Sequence, residues 1–209
     1  LFGGGVRCGS TNESISNCII IGNSAASAAV GASYGTLNNC TLAGNSAGIN
    51  GGGSWYSTLN NCTLIGNSAL QDGGGSYYGM LYNCTLISNS ASRYGGGSRY
   101  STLYNCIAYY NSAISSQNHT NATFNYSCTT PAPGGIGNIT NDPQFVNMAA
   151  NDYRLSASSP CIDRGNNVHV QGATDLEGNP RIAFGIVDMG AYESQSVPLV
   201  GYWAWASEI

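Results

Sequence analysis

Acid–base cleavage of a glycosidic bond needs paired carboxylates, and lyase chemistry on acidic sugars needs clustered carboxylates with a cation and a basic side chain. Between Cys18 and Cys128 the only charged residues are Asp72, Arg93 and Arg99, too few for either, so no catalytic residue is assigned. Asp175, Glu177 and Asn179 carry oxygen ligands at alternate positions, as calcium loops do. The twelve-residue pattern of such a loop is missing, so a structural turn is the preferred reading. His119 and His169 stand far from each other and from any cysteine pair, which gives zinc little support. No Ser-His-Asp motif occurs, and no metal or other cofactor is assigned. Trp55, Tyr77 and Arg99 recur at a fixed spacing. An exposed stripe of this kind can stack on sugar rings, but it more often forms a ladder held by π and cation–π contacts.

Composition narrows the class of protein. Six basic residues, all Arg, and ten acidic ones in 209 give a net charge of −4, with 42% apolar residues. That balance fits neither disorder nor a nucleic-acid surface, which requires clustered basic charge. No run of 18 apolar residues exists that would span a bilayer. The chain has neither an initiator Met nor a signal-peptide pattern, which reads as a processed or excised piece.

The elements that must position these residues follow from a repeat. Cys18, Cys40, Cys62, Cys84, Cys106 and Cys128 stand 22 residues apart, and Asn23, Asn45, Asn67, Asn89 and Asn111 follow with the same period. Gly triplets begin at Gly51, Gly73 and Gly95, and Tyr and Leu recur at Tyr34, Tyr56, Tyr78, Tyr100 and at Leu37, Leu59, Leu81, Leu103. Twenty-two residues are too few for a two-helix repeat, and Gly, Asn and Ser suit helices poorly. Segments such as Cys62-Thr63-Leu64-Ile65 read as short strands between turns. The period therefore predicts an all-β, single-stranded, right-handed parallel β-helix, a solenoid of about six rungs with three strands and three turns each. Identical positions would stack about 4.8 Å apart, forming ladders of Cys18, Cys40, Cys62, Cys84 and Cys106, and of Asn23, Asn45, Asn67, Asn89 and Asn111. Cys128 keeps the 22-residue step, although the Gly triplet of its rung gives way to Gln117-Asn118-His119-Thr120. At the other end Gly3-Gly4-Gly5 lies four residues too far from Cys18, so the stretch through Glu13 should carry a small loop. Asp72 and Arg93, at neighbouring positions on adjacent rungs, read as a surface ion pair.

The repeats resemble those of polymorphic outer membrane proteins, whose Phe-x-x-Asn and Gly-Gly-Ala-Ile elements are matched by Leu64-Ile65-Gly66-Asn67 and Gly73-Gly74-Gly75-Ser76. Downstream come Asp142-Pro143-Gln144-Phe145, Asp152-Tyr153-Arg154-Leu155, Ser159-Pro160-Cys161-Ile162-Asp163, Thr174 to Arg181, and Val187-Asp188-Met189-Gly190-Ala191-Tyr192-Glu193. This series resembles the closing segment of bacterial extracellular β-helix proteins of the choice-of-anchor type. The resemblance implies export and attachment at the envelope, and it implies no biochemical activity.

Three segments are expected: rungs over 1–137, a final rung and polar cap over 138–193, and an apolar tail or linker over 194–209 with Trp203 and Trp205. A cap is needed because the last rung of a solenoid otherwise exposes a strand edge. Stacked thiols about 4.8 Å apart lie too far for a disulfide, which leaves Cys8, Cys128 and Cys161, with Cys128–Cys161 preferred. The Asn-x-Thr/Ser sequons at Asn39, Asn61 and Asn83 arise from the repeat and should be packed in turns, while those at Asn118, Asn121 and Asn125 should be better exposed. The expected function is a non-enzymatic extracellular scaffold, adhesin or filament subunit. Head-to-tail association would use the edge at Leu1-Phe2-Gly3 and the apolar tail. The alternative is a carbohydrate-binding module, with glycans as partners, belonging to a larger polysaccharide-acting protein.

Overall fold

The computed structural model describes residues 4–27 and 31–196. The expected contacts of Leu1-Phe2-Gly3 and of the tail 197–209 lie outside these residues. The chain winds into a parallel β-solenoid of six rungs, and four strand rows build its walls where three were expected. The first row contains Ser54–Trp55, Ser76–Tyr77 and Ser98–Arg99. The second contains Thr58–Asn60, Met80–Tyr82 and Thr102–Tyr104. The third contains Thr63–Ile65 and Thr85–Ile87, and the fourth Ser68–Ala69 and Ser90–Tyr94.

The reason for four rows lies in the backbone. A two- or three-residue strand followed by one residue in the left-handed region turns the chain through a corner. Each regular rung contains four such residues, as in Tyr56, Asn61, Gly66 and Gly73, with φ between +51° and +63°. Gly and Asn occupy that region at low cost, and larger residues do not.

Strict parallel register then places like on like: Leu59 pairs with Leu37 and Leu81, and Leu64 with Leu42 and Leu86. These leucines, with Cys40, Cys62, Cys84 and Cys106, are fully buried and form one core running along the axis. Burying each leucine contributes roughly 1.5–3 kcal/mol. Cys18 departs from the expectation of a buried ladder: it belongs to the first rung, which is paired on one side only, and it is exposed. The irregular start matches the loop expected there. Val6 pairs with Ala32, 26 residues on, whereas Ser14 pairs with Thr36, 22 on, so the extra residues loop out between these strands.

Near the far end the register slips. Ser112 pairs with Ser90, 22 residues back, but Tyr94 pairs with Ser115, 21 on. Cys128 consequently stands opposite Ile107 and not in the cysteine ladder, where Ser127 replaces it and accepts the Cys106 N–H at 2.9 Å.

Residues 134–139 cover the last rung. The backbones of Tyr126 and Ile136, and of Ser127, Thr129 and Ile139, are hydrogen-bonded, and the Asn138 amide donates to the Phe124 carbonyl and accepts from the Ser127 N–H. A two-stranded antiparallel hairpin, Phe145–Asn147 with Asp152–Leu155, follows. The chain then folds back along the flank of the solenoid, which a terminal cap alone would not do. Side chains at the asparagine corner hold it there: Asn105 donates to the Asn166 carbonyl, Asn83 to that of Asp188, Asn61 to that of Gln171, and Asn39 to that of Asp175. One segment thus straps four rungs.

Candidate functional site

Parallel register brings Trp55, Tyr77 and Arg99 together, one above another on the first row. Beside them runs a second column, the corner residues Tyr34, Tyr56, Tyr78 and Tyr100, all at φ between +51° and +59°. A bulky residue in the left-handed region costs of the order of 1–2 kcal/mol. Part of that is offset by stacking, since Tyr56–Tyr78 and Tyr78–Tyr100 have ring centroids 4.8 Å apart and planes within 17°. Trp55 meets Tyr56 edge-on at 4.6 Å, and Tyr77 meets Tyr78 edge-on at 4.9 Å. The face is therefore a double aromatic column. The positive φ of the corner tyrosines is not visible from residue type, and only their period marked them.

Arg99 is not available to a ligand. Its guanidinium forms an ion pair with Asp72, donates to the Tyr100 hydroxyl at 3.0 Å, and lies 4.7 Å from the ring centres of both Tyr94 and Tyr100. This corrects the expected Asp72–Arg93 surface pair. Asp72 belongs with Arg99, and the pair is almost wholly buried, with side-chain exposures of 7% and 13%. Arg93 instead lies 5.5 Å from the Tyr94 ring.

The asparagine ladder is real and internal. The Asn67 amide donates to the Leu42 carbonyl and to Asn89 Oδ1, while its own oxygen accepts from the N–H and the amide of Asn45. Asn23 opens this ladder and Asn118 closes it, because Asn118 Oδ1 accepts from Asn111. Asn118, whose sequon was expected to be exposed, is thus buried, whereas Asn121 is exposed. Asn39, Asn61 and Asn83 sit in turns, but their side chains bond the returning segment and not one another. In the core, burial first of all pushes the Cys62 and Cys84 thiols up, and the hydrogen bond to Cys62 raises Cys40. Cys128 and Cys161, the pair preferred for a disulfide, are free buried thiols packed in one cluster with Ile107 and Met189.

The acidic motifs of the returning segment form a buried network. The Asp175 carboxylate accepts backbone N–H groups from Glu177, Asn179 and Glu193. Asp175 thus organises the turn through Glu177 and Asn179, whose own backbone N–H groups it accepts. Among the described residues no group of three His, Cys, Asp or Glu is placed to hold a metal ion. Glu193 accepts from Ala183 and Asp188, Asp188 accepts from Asp163 and Ser194, and Arg181 lies against Glu193 at 3.6 Å. Burial pushes the Glu193 carboxyl up to about 7 and that of Asp188 to about 6. The histidines prove structural: His169 stacks on Tyr104 at 4.2 Å, and His119 packs on Phe124 at 4.9 Å.

These features define a parallel β-solenoid repeat protein whose internal asparagine ladder is hydrogen-bonded from rung to rung. Compared with known protein families and with characterised proteins, the chain matches none. Among the described residues no helix is long and apolar enough to cross a membrane.

Proposed function

We propose that this chain is a non-enzymatic structural element displayed outside the cell, a surface scaffold or adhesin. The observation that supports this reading is the use to which its polar groups are put. Asn45, Asn67, Asn89 and Asn111 bond one another or the backbone, the sequon asparagines hold the returning segment, and the buried carboxylates accept backbone N–H groups. Such a wall transmits load and presents side chains at fixed intervals, and successive rungs differ too little to assemble an active site. The extracellular address is supported by the resemblance of residues 142–193 to the closing segment of exported β-helix proteins. Head-to-tail association belongs to the same reading. Among the described residues the strands Val6–Arg7, Ser14–Ser16 and Ile19–Ile21 pair on one side only, an edge that a further rung of this chain or of another copy would continue. A monomer by light scattering at high concentration would remove that part.

The test is twofold. Antibodies against the solenoid should decorate intact, unpermeabilised cells that carry the protein, and the purified chain should release no product from polysaccharides. Staining only after permeabilisation, or turnover abolished by substituting a residue of the flank between 18 and 128, would overturn it. A second reading, a carbohydrate-binding module of a larger polysaccharide-acting protein, is favoured by the double aromatic column.

A further inference from the structure

We infer that the corner formed by Trp55, Tyr56, Tyr77 and Tyr78 binds an uncharged linear polysaccharide lying along the solenoid axis. The inference rests on the carbohydrate-binding reading and adds the site and the ligand class. Its first support is a comparison within the molecule. The other corners of the solenoid are filled mostly by small residues, as at Asn61, Asn83, Gly66, Gly73, Ser88 and Ser116, with Tyr110 among the exceptions. In the sixth rung the tyrosine corner itself is occupied by Asn121 at φ +49°. The turn therefore does not need tyrosine. Nor does the core, because Tyr56 and Tyr78 remain 43% and 42% exposed.

Ring orientation indicates the ligand. The stacked tyrosines hide their faces against each other while the rest of each ring stays partly exposed. Trp55 and Tyr77 stand at 76° and 81° to their tyrosine neighbours, so their planes run along the column and not across it. Aromatic planes beside partly exposed phenol rings match a sugar ring, which has an apolar C–H face and a hydroxylated rim. Charge sets the class. Within the corner itself, from Ser33 to Thr120, the only formal charge in the column belongs to Arg99, which Asp72 already neutralises. The next one, Arg7, lies two rungs before Trp55, so an acidic chain finds no counter-charge beside the four rings.

The native chain is run through gels containing hydroxyethylcellulose, arabinoxylan or galactomannan, with polygalacturonate as the acidic comparison. The expected result is retardation by at least one neutral polymer and none by polygalacturonate. Tyr56→Asn with Tyr78→Asn, which gives these corners the residue found at Asn121, should weaken binding at least tenfold while far-UV circular dichroism stays unchanged. Should that variant unfold, Trp55→Ser with Tyr77→Ser decides, since Ser33 holds the same column one rung earlier. Retardation by polygalacturonate alone would overturn the neutral-ligand inference and leave the carbohydrate-binding reading standing. No retardation by any polymer would remove both, and binding undiminished in a folded variant would move the site elsewhere.

Discussion

Replacing Asn67 tests whether the asparagine ladder holds the rungs together. Asn67→Ala removes the acceptor for two donors of Asn45, its backbone N–H and one N–H of its amide, at 3.0 and 2.9 Å. It also removes one donor from the Leu42 carbonyl. An orphaned buried donor costs about 1–3 kcal/mol, so the two together should cost about 2–6 kcal/mol. The isosteric Asn67→Asp keeps the acceptor but sets a carboxylate oxygen against the Leu42 carbonyl and Asn89 Oδ1, and buries a charge, so it should be no milder. Asn23→Ala is the internal comparison. Asn23 donates both its N–H and its amide to Asn45 Oδ1, and Asn67 lies beyond, so this change deletes donors without stranding a buried one. Its cost should be about 1 kcal/mol, that of an ordinary hydrogen bond. Equilibrium urea unfolding followed by circular dichroism measures the difference, with the midpoint as the primary quantity because stacked repeats can unfold in stages. Equal midpoints for the Asn67 and Asn23 variants, or tolerance of Asn67→Asp, would refute the reasoning.

Glu193 and Asp188 have folded-state values of about 7 and about 6, both above their unfolded values, so the folded chain binds protons more tightly. Stability is therefore highest below about pH 4 for this pair and is lost as pH rises through about 6 and 7. A carboxyl raised from about 4 to about 6 is worth about 3 kcal/mol, so each of the two should contribute an effect of that order. The thermal midpoint should fall from pH 5 to pH 8, and less steeply in Glu193→Gln; a rise over that window would contradict the assignment. Arg99→Met leaves Asp72 buried without its partner and should cost about 3 kcal/mol or more, and adding Asp72→Asn should restore much of it. A double-mutant cycle with no coupling energy would count against the pair. Cys18, exposed in the first rung, should react with a thiol reagent in the native protein, whereas Cys62 and Cys84 should react only after unfolding. Mass spectrometry of the labelled chain distinguishes these, and early labelling of Cys62 would argue against a closed core.

The 22-residue period was enough to specify a parallel solenoid, its buried leucines and its internal asparagines. A residue repeated at the rung length meets its own kind in the next rung, so its partner can be read from spacing alone. Features that break the period were not legible in this way. Asp72 and Arg99 are 27 residues apart and meet only because one side chain crosses a corner that the fold creates. The one-residue slip between Ala91 and Tyr94 depends on how a bulge is accommodated, and it places Ser127 where the constant spacing pointed to Cys128. Asn118 closes the asparagine ladder from seven residues beyond Asn111, a reach that requires the chain to have turned the corner first. The number of strand rows depended on the φ of Tyr34, Tyr56, Tyr78 and Tyr100, a conformation unusual for tyrosine and tolerated because neighbouring rungs stack the rings. The motifs of residues 161–193 were visible as a series, but their binding to Asn39, Asn61, Asn83 and Asn105 was not. A non-repeating segment finds its partners only on a surface that the finished rungs have built.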